Sequence, residues 1–289
     1  MSYAQAPPAY AAANSKNGYQ PIPQDDVEAH AESSVPGRTA NAQSPLLGPD
    51  GMPLPRSEGD TDPDDFKFGV TVEQSSPEVR QMFLKKVYAT LFIQVVFTTA
   101  IGAVLRMDSI RSWIFQHSWI IMLTSFSSLV TMLVLYVKRH SHPTNVILLA
   151  AFTALEAVSI GSAIAYVNEV VVLQALLITG FVFIALNLAV YIWPSVDYSK
   201  LGPWLFYGLF IFLGIGLVQL FVPFSRGVDI AIAAGGAVLF SLYTLYDVDA
   251  ISKRLSCEEW CYANVMLFLD LLNLFLSILR ILNGASNDD

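Results

Sequence analysis

Seven long apolar runs follow one another through the C-terminal two-thirds of this chain, at 87–105, 119–137, 146–167, 170–193, 201–222, 228–246 and 262–282. A helix needs roughly 20 apolar residues to cross the hydrocarbon core of a bilayer, so each run predicts a membrane-spanning helix. Pro194 and Pro223 stop the fourth and fifth, and Gly235-Gly236 in the sixth permits close helix approach. The links are short, which sets neighbours antiparallel. The expected fold is all-α: a polytopic seven-helix membrane bundle over residues 81–285. Residues 1–80 carry 11 of the 15 prolines amid Ser, Asp, Ala and Gln, and read as a disordered cytosolic tail.

Composition fixes the class. The 289 residues are 54% hydrophobic and 14% charged, with a mean hydropathy of +0.51, where a soluble domain is about 25% charged. The net charge of -8 belongs to the tail: residues 1–81 hold 12 acids and 5 bases, the remainder 12 and 11. No basic patch points to nucleic acid. The opening MSYAQAPPAYAAA has neither a basic start nor an apolar core, so the first span is expected to serve as targeting signal. Cys257 and Cys261 are too few for a disulfide framework.

Lys and Arg at the span ends give the orientation. With the N-terminus cytosolic, the inner segments hold Arg80, Lys85, Lys86, Lys138, Arg139, Lys200, Lys253 and Arg254, against Arg106, Arg111, Arg226 and Arg280 outside. The C-terminus then lies on the lumenal side, or in the cytosol if the seventh run is re-entrant.

Several polar residues sit where lipid should exclude them. A carboxylate at the centre of a span costs about 2.5–3.5 kcal/mol on insertion scales. Glu156 lies near the middle of the third run, either bonded to a neighbouring helix or on an ion path. Asp270, Asn273 and Ser277 share one helix face at i, i+3 and i+7, a stripe expected to face the bundle interior. Asp247 sits on an apolar background beside Tyr246, whereas Asp249 reads as a solvated helix-end residue or a further member of the ion path. With the turn centred near Ser256, Asp247 and Asp270 are 9 and 14 residues away from it, which leaves about 7 Å of depth mismatch. If tilt or an uneven turn closes it, the pair shares a proton and titrates as a unit. Deprotonated, it offers a hard, weak and transient Ca²⁺ site. No other cofactor is expected. A Cys2His2 site from Cys257, Cys261, His140 and His142 is disfavoured, because the ligands split across two loops.

Two tail segments carry recognition chemistry. Pro7-Pro8-Ala9-Tyr10 has the PPxY form that WW domains grip as polyproline II, as in WW-domain ubiquitin ligases. Ser44-Pro45-Leu46-Leu47 resembles a di-leucine sorting signal without its upstream acid.

The membrane part, roughly residues 78–284, resembles the transmembrane Bax-inhibitor-motif family, in particular its Lifeguard branch. The likeness lies in Phe83-Leu84-Lys85-Lys86-Val87-Tyr88 with Gln94, in His142-Pro143-Thr144-Asn145, and in Phe152-Thr153-Ala154-Leu155-Glu156-Ala157. Tyr246-Asp247 is similar to the first half of the family's YDTQ motif, and Leu269-Asp270-Leu271-Leu272-Asn273-Leu274-Phe275 to its last-span signature. The resemblance implies a seven-helix bundle that leaks Ca²⁺ from internal stores and suppresses stress-induced cell death, among cell-death regulators as partners. It also implies that Asp247 and Asp270 form a pH-sensitive pair controlling the pore. The chain departs from the motif where Val248 and Asp249 replace Thr and Gln. Such proteins sit in endoplasmic reticulum, the first expectation here, or in Golgi or vacuolar and lysosomal membranes.

Rival functions are weaker. An intramembrane aspartyl protease needs Gly-x-Gly-Asp at its second carboxylate, and Leu267-Phe268-Leu269-Asp270 stands here, so no enzyme is expected. A proton-coupled transporter lacks the broken helix pair that would hold substrate. A non-conducting adaptor acting through its tail and membrane partners is the remaining alternative.

Overall fold

A computed structural model describes residues 71–286, the side chain of Leu220 excepted. The PPxY residues Pro7, Pro8 and Tyr10 and the segment 44–47 lie outside the described residues. Eight α-helices and two 3-10 turns follow: α1 (Pro77–Leu105), α2 (Asp108–Gln116), α3 (Trp119–Val137), α4 (Thr144–Ile164), α5 (Glu169–Ile192), a turn at Tyr198–Leu201, α6 (Gly202–Phe221), α7 (Arg226–Lys253), a turn at Cys257–Glu259, and α8 (Trp260–Ser286). Seven of these helices are long and apolar enough to cross a membrane, which establishes the all-α, multi-pass architecture.

Local chemistry sets the ends. Ser76 caps α1, its Oγ accepting from the Val79 N–H at 3.4 Å, with Pro77 in the first turn. Asn168 caps α5, its Oδ1 accepting from Val170 at 2.9 Å. Ser256 and Glu259 form a reciprocal capping box ahead of α8.

The last helix is the middle of the bundle. It packs against α7, α5 and α1, and 56% of the most apolar stretch of its span is buried, against 11% for α3 and 6% for the α6 span. The outer helices turn large side chains outward, among them Phe92, Phe126, Phe181, Trp204 and Phe221. Such a belt of exposed apolar surface fits a lipid solvent. Between α1 and α4, Gly102 and Gly161 bring the backbones together: a Cβ on Gly161 would lie 3.1 Å from the Gly102 Cα.

Three expectations need correction. The link 106–118 contains α2, a short helix with Ile114 buried and Trp113 and Phe115 exposed. Its single apolar turn is too short to register as a span. The sixth span runs seven residues past Tyr246, to Lys253, because the acids at its end find partners inside the protein. Of the glycine pair, Gly236 makes the close approach, its absent Cβ leaving room for Phe212 and Ser277, while Gly235 has nothing within 4 Å.

Candidate ion site between the last two helices

Asp247 lies six residues before the end of α7 and Asp270 ten residues into α8. Both are buried, at 7% and 5% exposure, and their carboxyl groups lie within hydrogen-bonding reach of each other. The depth mismatch is therefore closed. The link 254–259 is an uneven turn, and its six residues let α8 begin beyond the end of α7. A hydrogen bond between two carboxyls needs one proton between them.

Tyrosine and arginine side chains stand near the pair. Tyr243 stands within electrostatic reach of both carboxyls, its hydroxyl donating to the Leu205 carbonyl at 3.0 Å. Arg254 and Tyr262 stand within reach of Asp247. Two residues before Asp270, Phe268 packs edge-on to Phe152 of α4, ring centroids 6.1 Å apart. Asp270 Oδ2 is buried without a partner among the described residues. An orphaned carboxyl oxygen beside a second carboxyl is a donor set that fits a hard cation in passage. No group of three or more His, Cys, Asp or Glu among the described residues is arranged to hold a resident metal.

The other expected members stand apart. Asn273 spends its amide on the Leu269 carbonyl of its own helix at 2.9 Å, and its carbonyl receives Ser277 Oγ at 2.8 Å. Glu156 is half-buried and accepts from Ser128 Oγ of α3 at 2.7 Å, next to a Ser125–Ser159 hydroxyl contact of 2.6 Å. It belongs to the α3–α4 seam.

Asp249 is not solvated, contrary to one expectation. It is 3% exposed and pairs with Lys253 Nζ at 2.5 Å, with Arg254 at 3.8 Å. The helix continues past it, so the i+4 lysine lies directly over its carboxylate. Two residues along a helix is about 200° of rotation, which puts Asp249 on a different face from Asp247.

Sequence reasoning missed the cover over the α7–α8 link. Val72 N–H donates to the Leu255 carbonyl at 2.8 Å and Thr71 bridges Ser256. Arg80 holds the Val72 and Glu73 carbonyls at 3.3 and 3.1 Å. Glu259 receives Arg139 at 2.7 Å, and Lys86 Nζ sits 3.8 Å from the centroid of the Trp260 ring. Only the basic clusters hinted at this. Their pairing across α1, the α3–α4 link and the start of α8 needs the fold. At the opposite end Arg280 grips Asp229, which also accepts from Gln219 at 2.6 Å.

Comparison with known proteins gives this geometry a lineage. The family profile described as "Inhibitor of apoptosis-promoting Bax1" matches residues 80–288. The chain is 36% identical to "Bax inhibitor 1" of Schizosaccharomyces pombe over 94% of its length and 98% of the relative's. It is 34% identical to "Protein lifeguard 4" of Mus musculus, over 78% and 98%. With the "Golgi anti-apoptotic protein" of Vaccinia virus (strain Lister) it shares 36% identity, over 77% and 94%. The carboxyl pair thus sits within the matched region, and the chain belongs to the Bax inhibitor family of multi-pass membrane proteins, whose relatives include anti-apoptotic ones.

Proposed function

We propose that this protein is a pH-sensitive calcium leak of an intracellular membrane, lowering store calcium and so suppressing stress-induced cell death. The observation that carries the reading is the buried meeting of Asp247 of α7 with Asp270 of the innermost helix, α8. Intramembrane carboxyls facing a bundle interior mark ion or proton paths. The proton changes the pair from a neutral lock to an anionic step that a hard cation can visit and leave. Calcium is the permeant ion, no cofactor takes part, and no bond is made or broken. The basic span ends favour a cytosolic N-terminus, and the endoplasmic reticulum is the membrane we assign, with vacuole, lysosome or Golgi as alternatives.

Full-length protein in liposomes loaded with a calcium dye tests this. Flux above protein-free vesicles should appear, with a pH profile that shifts in Asp247→Asn and in Asp270→Asn. Unchanged flux and profile in both variants would sink the reading. The tail supports a separate interaction: a WW-domain ubiquitin ligase binding Pro7-Pro8-Ala9-Tyr10. A peptide carrying Tyr10→Ala should lose at least tenfold in WW-domain affinity, the scale of one buried aromatic anchor; equal binding refutes the motif.

A further inference from the structure

A lateral crevice of about 670 Å³ opens between α1 and α5, with Ile160 and Ile164 of α4 in its wall. Its back wall is α8 itself, at Leu271, Leu272 and Phe275. From Tyr88 to Arg106 it follows eighteen residues of α1, about 27 Å of helix against a hydrocarbon core of about 30 Å. The sides are aliphatic and aromatic, as at Leu91, Val95, Leu176 and Phe183.

The two ends differ. Near one, Tyr88 donates to Asn187 Oδ1 at 2.7 Å and is satisfied. At the other stands Arg106, 20% exposed, donating to the Ile164 carbonyl at 3.1 Å and the Val167 carbonyl at 2.9 Å. A guanidinium has five N–H donors, so donors remain. Its acidic neighbour does not take them: Glu169 is 85% exposed and its carboxylate stays 3.8 Å away, a surface pair of little strength. The other cations at this end are engaged elsewhere, Arg280 and Arg226 on Asp229 and the Gly284 carbonyl, and Arg111 over the Tyr166 ring. An apolar trough ending in a partly committed arginine at the depth of a membrane interface matches an amphiphile with a hydrocarbon chain and an anionic head.

We propose that this crevice is a binding site for one phospholipid of the adjoining leaflet, its phosphate on Arg106 and an acyl chain laid between α1 and α5 against Leu271, Leu272 and Phe275. The site stands independently of the calcium reading. It places a lipid chain on the turn of α8 that directly follows Asp270, so the occupant touches the helix that carries the carboxyl pair.

Gly180 supplies a clean test. It lines the crevice, and a Cβ there meets nothing within 4 Å, so the side chain in Gly180→Leu starts in open space and occupies the trough. The full chain is placed in phosphatidylcholine vesicles containing a trace of phosphatidylcholine with a diazirine on its acyl chain, then irradiated, digested and mapped by mass spectrometry. The expected result is labelling concentrated on 91–103 and 172–184, cut about tenfold by Gly180→Leu and by Arg106→Gln, as for loss of a packed chain or of a charge-assisted bond. Added oleate should leave it unchanged. Even labelling across the exposed faces of α3 and α6 overturns the proposal, as does undiminished labelling in Gly180→Leu. Displacement by oleate also overturns it, in favour of a soluble fatty acid. Labelling that Gly180→Leu removes but Arg106→Gln does not refutes the headgroup assignment, and the proposal with it. Should Arg106→Gln fail to fold, the glycine variant decides alone.

Discussion

Asp247 and Asp249 are two positions apart and chemically opposite. Asp247 meets another carboxyl; Asp249 meets the ammonium of Lys253. Their amide variants should behave accordingly. Asn at 247 keeps the shape and offers an N–H donor to Asp270. We expect Asp247→Asn to change stability by less than about 1 kcal/mol, because one partner of a neutral hydrogen bond is exchanged for another. Asp249→Asn removes the anion beneath Lys253, and should cost about 1–3 kcal/mol, less than a fully buried pair because the lysine can reach solvent. Thermal unfolding in detergent micelles separates the two: the midpoint should fall clearly for Asp249→Asn and hardly at all for Asp247→Asn. The reverse order would mean that the aspartate roles have been exchanged.

At the scale of helices, the hydropathy pattern carries the spans because lipid demands about twenty apolar residues wherever the chain crosses. Boundaries are less legible. The apolar run of α7 stops at Tyr246, yet its helix continues through two acids to Lys253, since pairing with Asp270 and Lys253 removes the penalty that a hydropathy sum assigns to each acid alone. The two carboxyls are readable as candidates from the apolar runs that hold them, but depth counting leaves about 7 Å between them, and their meeting depends on an uneven link. Helix contacts at glycine are similarly half-visible: Gly235 and Gly236 look alike in sequence, and the surface each faces distinguishes them. The α1–α4 seam gives the sharper test. A Cβ on Gly161 presses Leu105 at 2.9 Å and the Gly102 backbone at 3.1 Å, and backbone cannot swing aside. Gly161→Val should lose about 1–3 kcal/mol by overpacking. Gly235→Ala, facing open space, should be neutral or stabilise by up to about 1 kcal/mol through helix propensity. Equal unfolding midpoints for the two variants would show that the seam is not close-packed.

For the whole molecule, the two ends of the bundle are closed differently. One end is held by Arg280, Asp229 and Gln219 between α6, α7 and α8. The other is closed over the α7–α8 link by residues 71–75, with Arg139 of the α3–α4 link and Lys86 of α1 reaching in. Asp247 lies within two turns of this covered end. Val72 is wholly buried there and its N–H is bonded to Leu255. An aspartate in its place would bury an unpaired charge, a cost the chain avoids by lifting the segment away. In Val72→Asp, amide hydrogen exchange across 71–75 and 254–259 should accelerate at least about tenfold while the middle of α8 stays protected, as expected for local opening. If the cover also bars the cation route, calcium flux from liposomes should rise in the same variant at unchanged pH. Faster exchange without greater flux would assign the cover to stability alone and place the barrier deeper, at the carboxyl pair itself.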